Sequence, residues 1–445
     1  MSFGFPTVYA QPESLGVPSM IMGDDLKSFS GAKNSIRSVP TMSGSSVGPS
    51  SSILFNIPTG GNSYIKPNSM YLRLKCVVTQ GAAAATSWAF AGQSSDDSFD
   101  SGGASSLINR MNITFPGGSV VSYGNYNHWR NSILPHVTTQ GFLLTDLRIM
   151  EFAGVSKLNT DASAGSQTVY VSIPLFIPIF NSNQAFPALL LSGSGINIEF
   201  ITETLNNAIY AVTTAVTAYS LSEISLVYET LDVSQSYKDA IMSAKSNSFY
   251  NVSVEDWASI GPVATTSAMS YQIGCGYSSL KSILFTEQLI TAGNATTNKK
   301  LYLYNGLNDI KLYVNNQIVS PPNLNEESYV YCETQRALGR INDMTLSTVT
   351  YALTPNVIAG NLRSSYTTAN FHAGISTQVF SDWGFSTSGV PASTITLELS
   401  HSGSADPIKW EDAALVYAAA SLFVFMAYDS VYSVDLSNGT VMIRK

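Results

Sequence analysis

Ser52–Val78 reads SILFNIPTGGNSYIKPNSMYLRLKCVV, and Ser248–Phe285 reads SFYNVSVEDWASIGPVATTSAMSYQIGCGYSSLKSILF. Each begins with a short strand in which apolar and polar residues alternate. Each passes through a Gly- and Pro-bearing turn region and continues into a second strand of period two. In MYLRLKCVV, Leu72, Leu74 and Cys76 alternate with Tyr71, Arg73 and Lys75, so one face packs while the other meets water. A run of further short strands follows each opening. In a chain of 445 residues, this doubling predicts two β-sandwich units in series.

Working outward, the first unit is expected over 52–233, with strands such as Asn109–Phe115, Thr168–Ile173, Gly195–Glu203 and Leu221–Thr230. SQSYKDAIMSAKS then places Tyr237, Ile241 and Ala244 on one helical stripe, with Ser234 or Ser236 available as a cap. This predicts a helical linker over 234–247. The second unit is expected over 248–436, including strands at Ile310–Val314, Thr345–Tyr351, Ile395–Ser400, Ser421–Met426 and Val431–Asp435. A second helix is expected within NEESYVYCETQRALG, residues 325–339. No series of βαβ units appears, so the sheets are expected to be antiparallel.

Residues 1–51 carry Pro6, Pro12, Pro18, Pro40 and Pro49 and no sustained period, which predicts an N-terminal arm. Within it Val17, Met20, Ile21 and Met22 form an apolar patch that suits a partner subunit or a lipid surface. Residues 437–445 are expected to be a C-terminal tail. The apolar run Ala413–Ala427 is shorter than a membrane-spanning helix requires and is read as buried sandwich strand.

Only 12% of the residues are charged, against about 25% in an average soluble protein. Such a surface suits a chain largely covered by its neighbours. The net charge is −8 and the 22 Lys and Arg are scattered, which argues against direct nucleic-acid binding. Cys76, Cys275 and Cys332 are odd in number and far apart, and no Cys/His spacing for zinc exists. The opening MSFGFPTVYAQPES has neither the basic nor the apolar region of a signal peptide. Together these imply a protein made in a reducing intracellular compartment.

The vocabulary of catalysis is missing. The one G-x-S-x-G match, Gly44–Gly48, lies in a Ser/Gly linker and not between a strand and a helix. Gly274-Cys275-Gly276 falls within a strand and reads as a bend or bulge. His128, His136, His372 and His401 share no metal spacing, and Asp96, Asp97 and Asp100 read as a solvated acidic loop. No catalytic residue, metal or cofactor is expected. Tyr123, Tyr126 and Trp129, in SYGNYNHWRN, are candidate interface aromatics, and the same residue types also suit glycan binding.

The segment Val171–Phe200, VSIPLFIPIFNSNQAFPALLLSGSGINIEF, is the most specific of four that follow a known order. The others are Leu107–Leu134 with its NYNHW, Asp309–Leu338 with KLYVNNQIVSPPNLNE, and the stretch from Asp382 through SGVPASTITLEL to the final strands. In order and spacing they resemble the double jelly-roll major capsid proteins of the adenovirus and tailless-phage lineage, of Polinton-like virus or virophage type.

The resemblance implies an all-β fold of two consecutive eight-stranded antiparallel jelly rolls with a short connecting helix. It implies a homotrimer of pseudo-hexagonal outline in an icosahedral virion capsid. The implied partners are neighbouring capsomers, penton and minor capsid proteins and an inner membrane. The contrasting reading is another β-rich virion or cell-surface protein, such as a glycan-binding β-sandwich.

Overall fold

The computed structural model describes residues 33–80, 87–91, 103–137, 146–152, 157–158, 165–182, 184–211, 216–244, 249–289, 302–303, 305–322, 324, 327–339, 371–380, 387–401, 417 and 419–445. The first unit is built on eight principal strands. They are β1 (Lys33–Pro40), β2 (Ser52–Ile57), β3 (Tyr71–Gln80), β4 (Ile108–Thr114), β5 (Val120–Tyr123), β6 (Ser166–Pro174), β7 (Ile196–Thr202) and β8 (Val216–Asp232). Helix α1 (Tyr126–Val137) follows β5.

The strands form two antiparallel sheets, ordered β1-β8-β3-β6 and β2-β7-β4-β5. The first strand pairs with the eighth, the second with the seventh, the third with the sixth and the fourth with the fifth. A long antiparallel hairpin rolled up in this way is a jelly roll. Leu72, Leu74, Cys76 and Val78 point into its core, as their alternation requires, and Arg73 points out.

Helix α2 (Gln235–Ala244) leads to the second unit, as its stripe of Tyr237 and Ile241 predicts. This unit contains β9 (Phe249–Ala264), β10 (Ala268–Leu289), β11 (Leu307–Val314), β12 (Gln317–Ile318), α3 (Glu327–Ala337), β13 (Ala373–Ser376), β14 (Val390–His401), β15 (Ala420–Asp435) and β16 (Thr440–Arg444). The same wrapping recurs with one economy. The 22-residue β10 serves both sheets: Ala268–Leu280 pairs with β14, and Leu280–Leu289 pairs with β15. The sheets are therefore β9-β15-β10-β13 and β10-β14-β11-β12. The register shifts at Gly274/Tyr277 and Tyr277/Leu280, beside the glycines that lower the cost of such a bulge.

Three expectations are corrected. Lys33–Pro40 was expected within the arm 1–51, but it is β1, the strand that opens the first jelly roll on β8. Both its faces are largely exposed, so it carries no apolar alternation to read. Residues 440–444 were expected as tail and are strand β16, paired with β15. Helix α1 occupies a stretch read only as an aromatic-Asn segment. Thr345–Tyr351 lies outside the described residues, as do Asp96, Asp97 and Asp100.

The two jelly rolls share a core. One apolar cluster contains Phe55, Leu72, Ile113, Ile198 and Phe200 of the first unit, together with Tyr250, Val252, Phe423, Phe425 and Val434 of the second. The other cluster lies between the second unit's own sheets. Strand β15 separates them: Phe423 and Phe425 enter the first, while Leu422, Val424 and Met426 enter the second. A strand covered on both faces is continuously apolar. That accounts for the described part of the Ala413–Ala427 run.

Candidate assembly surfaces

The region where the two units meet is built from strand β5 and helix α1 on one side and strands β9 and β15 on the other. The indoles of Trp129 and Trp257 stack with centroids 4.6 Å apart and planes 1° from parallel. Tyr123 lies 5.0 Å from Trp257, and the ring of His128 stacks on Phe423 at 3.9 Å. Aromatic pairs at such distances add to the burial of their area. Backbone groups bordering the rings are also bonded across the junction. Ser259 Oγ donates to the Gly124 carbonyl at 2.5 Å, and Asn125 Nδ2 donates to the Gly261 carbonyl at 3.1 Å.

Strand β16 staples the far end of this junction. Val441 N donates to the Pro116 carbonyl at 3.0 Å, and Ser192 N donates to the Gly439 carbonyl at 2.9 Å. Gly439 has φ +67°, and a Cβ there would stand 2.3 Å from Ser192 N, so only glycine lets the chain approach this closely. Beneath the aromatics Asp256, 1% exposed, accepts the Tyr432 hydroxyl at 2.7 Å. Burial raises the Asp256 carboxyl above the ordinary carboxylate range, against the pull of that bond.

The sequence-derived site residues distribute as follows. Tyr123 and Tyr126 are fully buried, so they join the units of one chain and present nothing to a second chain. Trp129 is partly buried on the same junction. Val17, Met20, Ile21 and Met22 lie outside the described residues. Trp257, Phe423 and Phe425 were not singled out from the sequence. Their signal was the period-two alternation of β9 and the doubly apolar β15, which marks burial but not the body that buries them.

The buried charges have the character of structural ties. Arg130 and Glu151, both essentially inaccessible, form an ion pair, and Arg130 also donates to the Pro174 carbonyl at 3.1 Å. Lys281 of β10, 1% exposed, lies 2.8 Å from Asp429 on the adjacent strand β15 and 3.0 Å from Glu255 on β9, one strand further. His401 meets Glu287 at 2.7 Å, both inaccessible, and Asn305 Nδ2 donates to the same carboxylate at 2.7 Å. General acid–base chemistry needs a group within reach of a substrate. The Arg130–Glu151 and His401–Glu287 pairs offer no such reach.

Cys76 is buried, and desolvation pushes its thiol up to about 12, which makes it a poor nucleophile. Among the described residues, no group of three or more His, Cys, Asp or Glu is placed to hold a metal ion. No described helix is long and apolar enough to cross a membrane.

Two jelly rolls in one chain, fused through a common core, define the double jelly-roll fold. Comparison with known proteins agrees. No protein-family model and no curated protein sequence matches the chain. Solved structures do. PBCV-1 VP54, in its crystal structure fitted into a cryo-EM reconstruction of the virophage Sputnik, is similar at a TM-score of 0.58 and 15% identity, over 93% of this chain and 97% of that one. The mavirus major capsid protein is similar at a TM-score of 0.52 and 12% identity, over 99% and 94%. The Faustovirus major capsid protein is similar at 0.56 and 8%, over 91% and 90%. The likeness spans both units, so the fold resemblance extends over nearly the whole chain.

Proposed function

We propose that this chain is a structural major capsid protein and not an enzyme. Three copies form a capsomer of pseudo-hexagonal outline, and capsomers tile a closed icosahedral shell with penton and minor capsid proteins. The observation that carries this reading is the end-to-end match of fold with the mavirus and Faustovirus major capsid proteins, both jelly rolls included. Composition supports it, since a chain with 12% charged residues suits surfaces buried against neighbours.

The shared core supports it further, because it fixes the two jelly rolls as one rigid tile. In this reading α2 divides the tile, and the stretch before β1, with Val17, Met20, Ile21 and Met22, makes the contacts beneath the shell, to minor proteins or an inner membrane. The acidic balance fits a shell that leaves genome condensation to other proteins.

The test is the solution mass by light scattering after size exclusion, with negative-stain imaging of the peak. A trimer near 143 kDa, three times the 47.7 kDa chain, with a hexagonal outline is the expected result. A monomer that persists at high concentration would overturn the proposal.

A further inference from the structure

Glu255 of β9 and Asp429 of β15 stand directly opposite each other on paired strands. Like charges in that position destabilise the pairing. Lys281 of β10, the strand on the other side of β15, reaches both. Its ammonium lies 2.8 Å from Asp429 Oδ1 and donates to Glu255 Oε2 at 3.0 Å. The register of β10 on β15 shifts between Leu280 and Ser282, so Lys281 is the extra residue of a bulge. A bulge re-aims a side chain, and this one buries an amine between two carboxyls.

The Asp429 carboxyl is held from its other side. Its Oδ2 accepts the Ser279 hydroxyl at 2.6 Å, and Ser279 Oγ accepts the Gly389 amide at 2.8 Å. Oδ1 is thereby turned to the lysine, and the Asp429 carboxyl carbon is one bond beyond that contact. Bond formation is favoured when the reacting atoms are held about 3–3.5 Å apart.

Two carboxyls share one amine, so the cluster with all three groups ionised carries an uncompensated negative charge. Burial and the charge of Asp429 push the Glu255 carboxyl up to about 7, so it holds a proton near neutrality. Burial pushes the Lys281 amine down, toward its neutral and nucleophilic form. An ion pair needs one carboxylate. The second is placed as an acid beside the nitrogen.

We propose that Lys281 and Asp429 condense to an amide, a covalent cross-link between β10 and β15, with Glu255 as the proton relay. Proton transfer from the ammonium to the Asp429 carboxylate gives a neutral amine and a carboxylic acid. Lys281 Nζ then attacks Asp429 Cγ. Glu255 protonates the resulting oxyanion, recovers a proton from the nitrogen and passes it to a hydroxyl, which leaves as water. The last hydroxyl proton returns to Glu255. One C–N bond forms, one C–O bond breaks, and one water is released.

The bond falls where the fold depends on it. Strand β15 lines both cores and β10 serves both sheets. All three cysteines are free, and an amide, unlike a disulfide, persists in a reducing compartment. The inference is independent of the capsomer reading, because the cross-link lies within one chain.

The experiment is the intact mass of the full-length chain, reduced and denatured, followed by fragmentation of its proteolytic peptides. The wild type is expected one water lighter than its sequence, with a branched peptide joining the segments that carry Lys281 and Asp429. Lys281→Arg and Asp429→Ala should each have the full mass of their own sequence. Glu255→Gln, with a wild-type circular dichroism spectrum, should convert at least about a hundredfold more slowly, the loss expected for a missing acid–base group. A folded wild-type chain of full sequence mass would overturn the proposal and leave the cluster an ion pair only. Water loss that persists in Lys281→Arg, or a branch at Glu255 instead of Asp429, would overturn the assigned bond. Conversion of Glu255→Gln at the wild-type rate would overturn the relay.

Discussion

Asp256 shows how one residue sets a condition on the whole molecule. It is buried at the junction with its carboxyl raised above the usual range by desolvation. Burial also raises the Glu151 carboxyl, and burial followed by the charge of Asp429 raises that of Glu255. A carboxyl raised in the folded state holds a proton that the unfolded chain releases, so stability falls as pH climbs from the ordinary carboxylate range through the raised values. The contribution of Glu255 is reduced by solvent screening, because 38% of its side chain is exposed.

Glu199 and Asp435 oppose the trend at the acid end. Hydrogen bonds from Ser52 and Ser437, respectively, lower their carboxyls, so the stability they add is lost on acidification. The melting temperature is therefore expected to be higher at about pH 5.5 than at about pH 8. Asp256→Asn should flatten that difference, and a variant with the wild-type slope would refute the assignment. None of this was legible in SVEDWAS, where Glu255 and Asp256 stand side by side on a strand and nothing in the residue types marks which of them is buried. Which of the two carboxylates points into the junction depends on the face of β9 that the first unit covers.

Among elements, β16 is the most economical. Its five residues bond to β15 on one side and reach the Pro116 and Ser119 turn of the first unit on the other. Ending the chain after Leu436 should cost at least about 2 kcal/mol, the value of burying Val441 alone. It should also speed amide hydrogen exchange over 115–123. A truncated chain with unchanged denaturant midpoint and exchange would show that the staple is idle.

The elements also mark how far period and propensity carry. Strands β3 and β7 and helix α2 were legible because each buries one face and exposes the other. Strand β1 was not, since Ile36 and Arg37 lie on opposite faces and both are exposed. Helix α1 was hidden by Asn127, Asn131 and Pro135, which lower helix propensity. Its stability comes instead from tertiary contacts, with the Trp129 stack and the Arg130–Glu151 pair holding it in place.

At the scale of the whole molecule, the doubling of the fold was legible from two openings of like pattern, while the fusion of the units was not. Sequence alternation tells a strand which face is covered and says nothing of whether its own sheet partner or another jelly roll covers it. Because Phe423 and Phe425 belong to a cluster with Phe55 and Phe200, the units should not melt separately. A single calorimetric transition is expected, with calorimetric and van't Hoff enthalpies in agreement. Two resolved transitions would show the junction to be a weak contact between independent domains.

Strand β15 also dictates when the protein can become itself. It lines both hydrophobic cores, yet every other strand of either core except β16 precedes it in the chain. A polypeptide still emerging from the ribosome therefore has neither core closed, and its first jelly roll waits with an unfinished flank until Phe423 and Phe425 arrive. Maturation is thereby tied to completion: fragments released early should be recognised as unfolded and degraded, and only finished chains enter the pool from which larger structures are drawn.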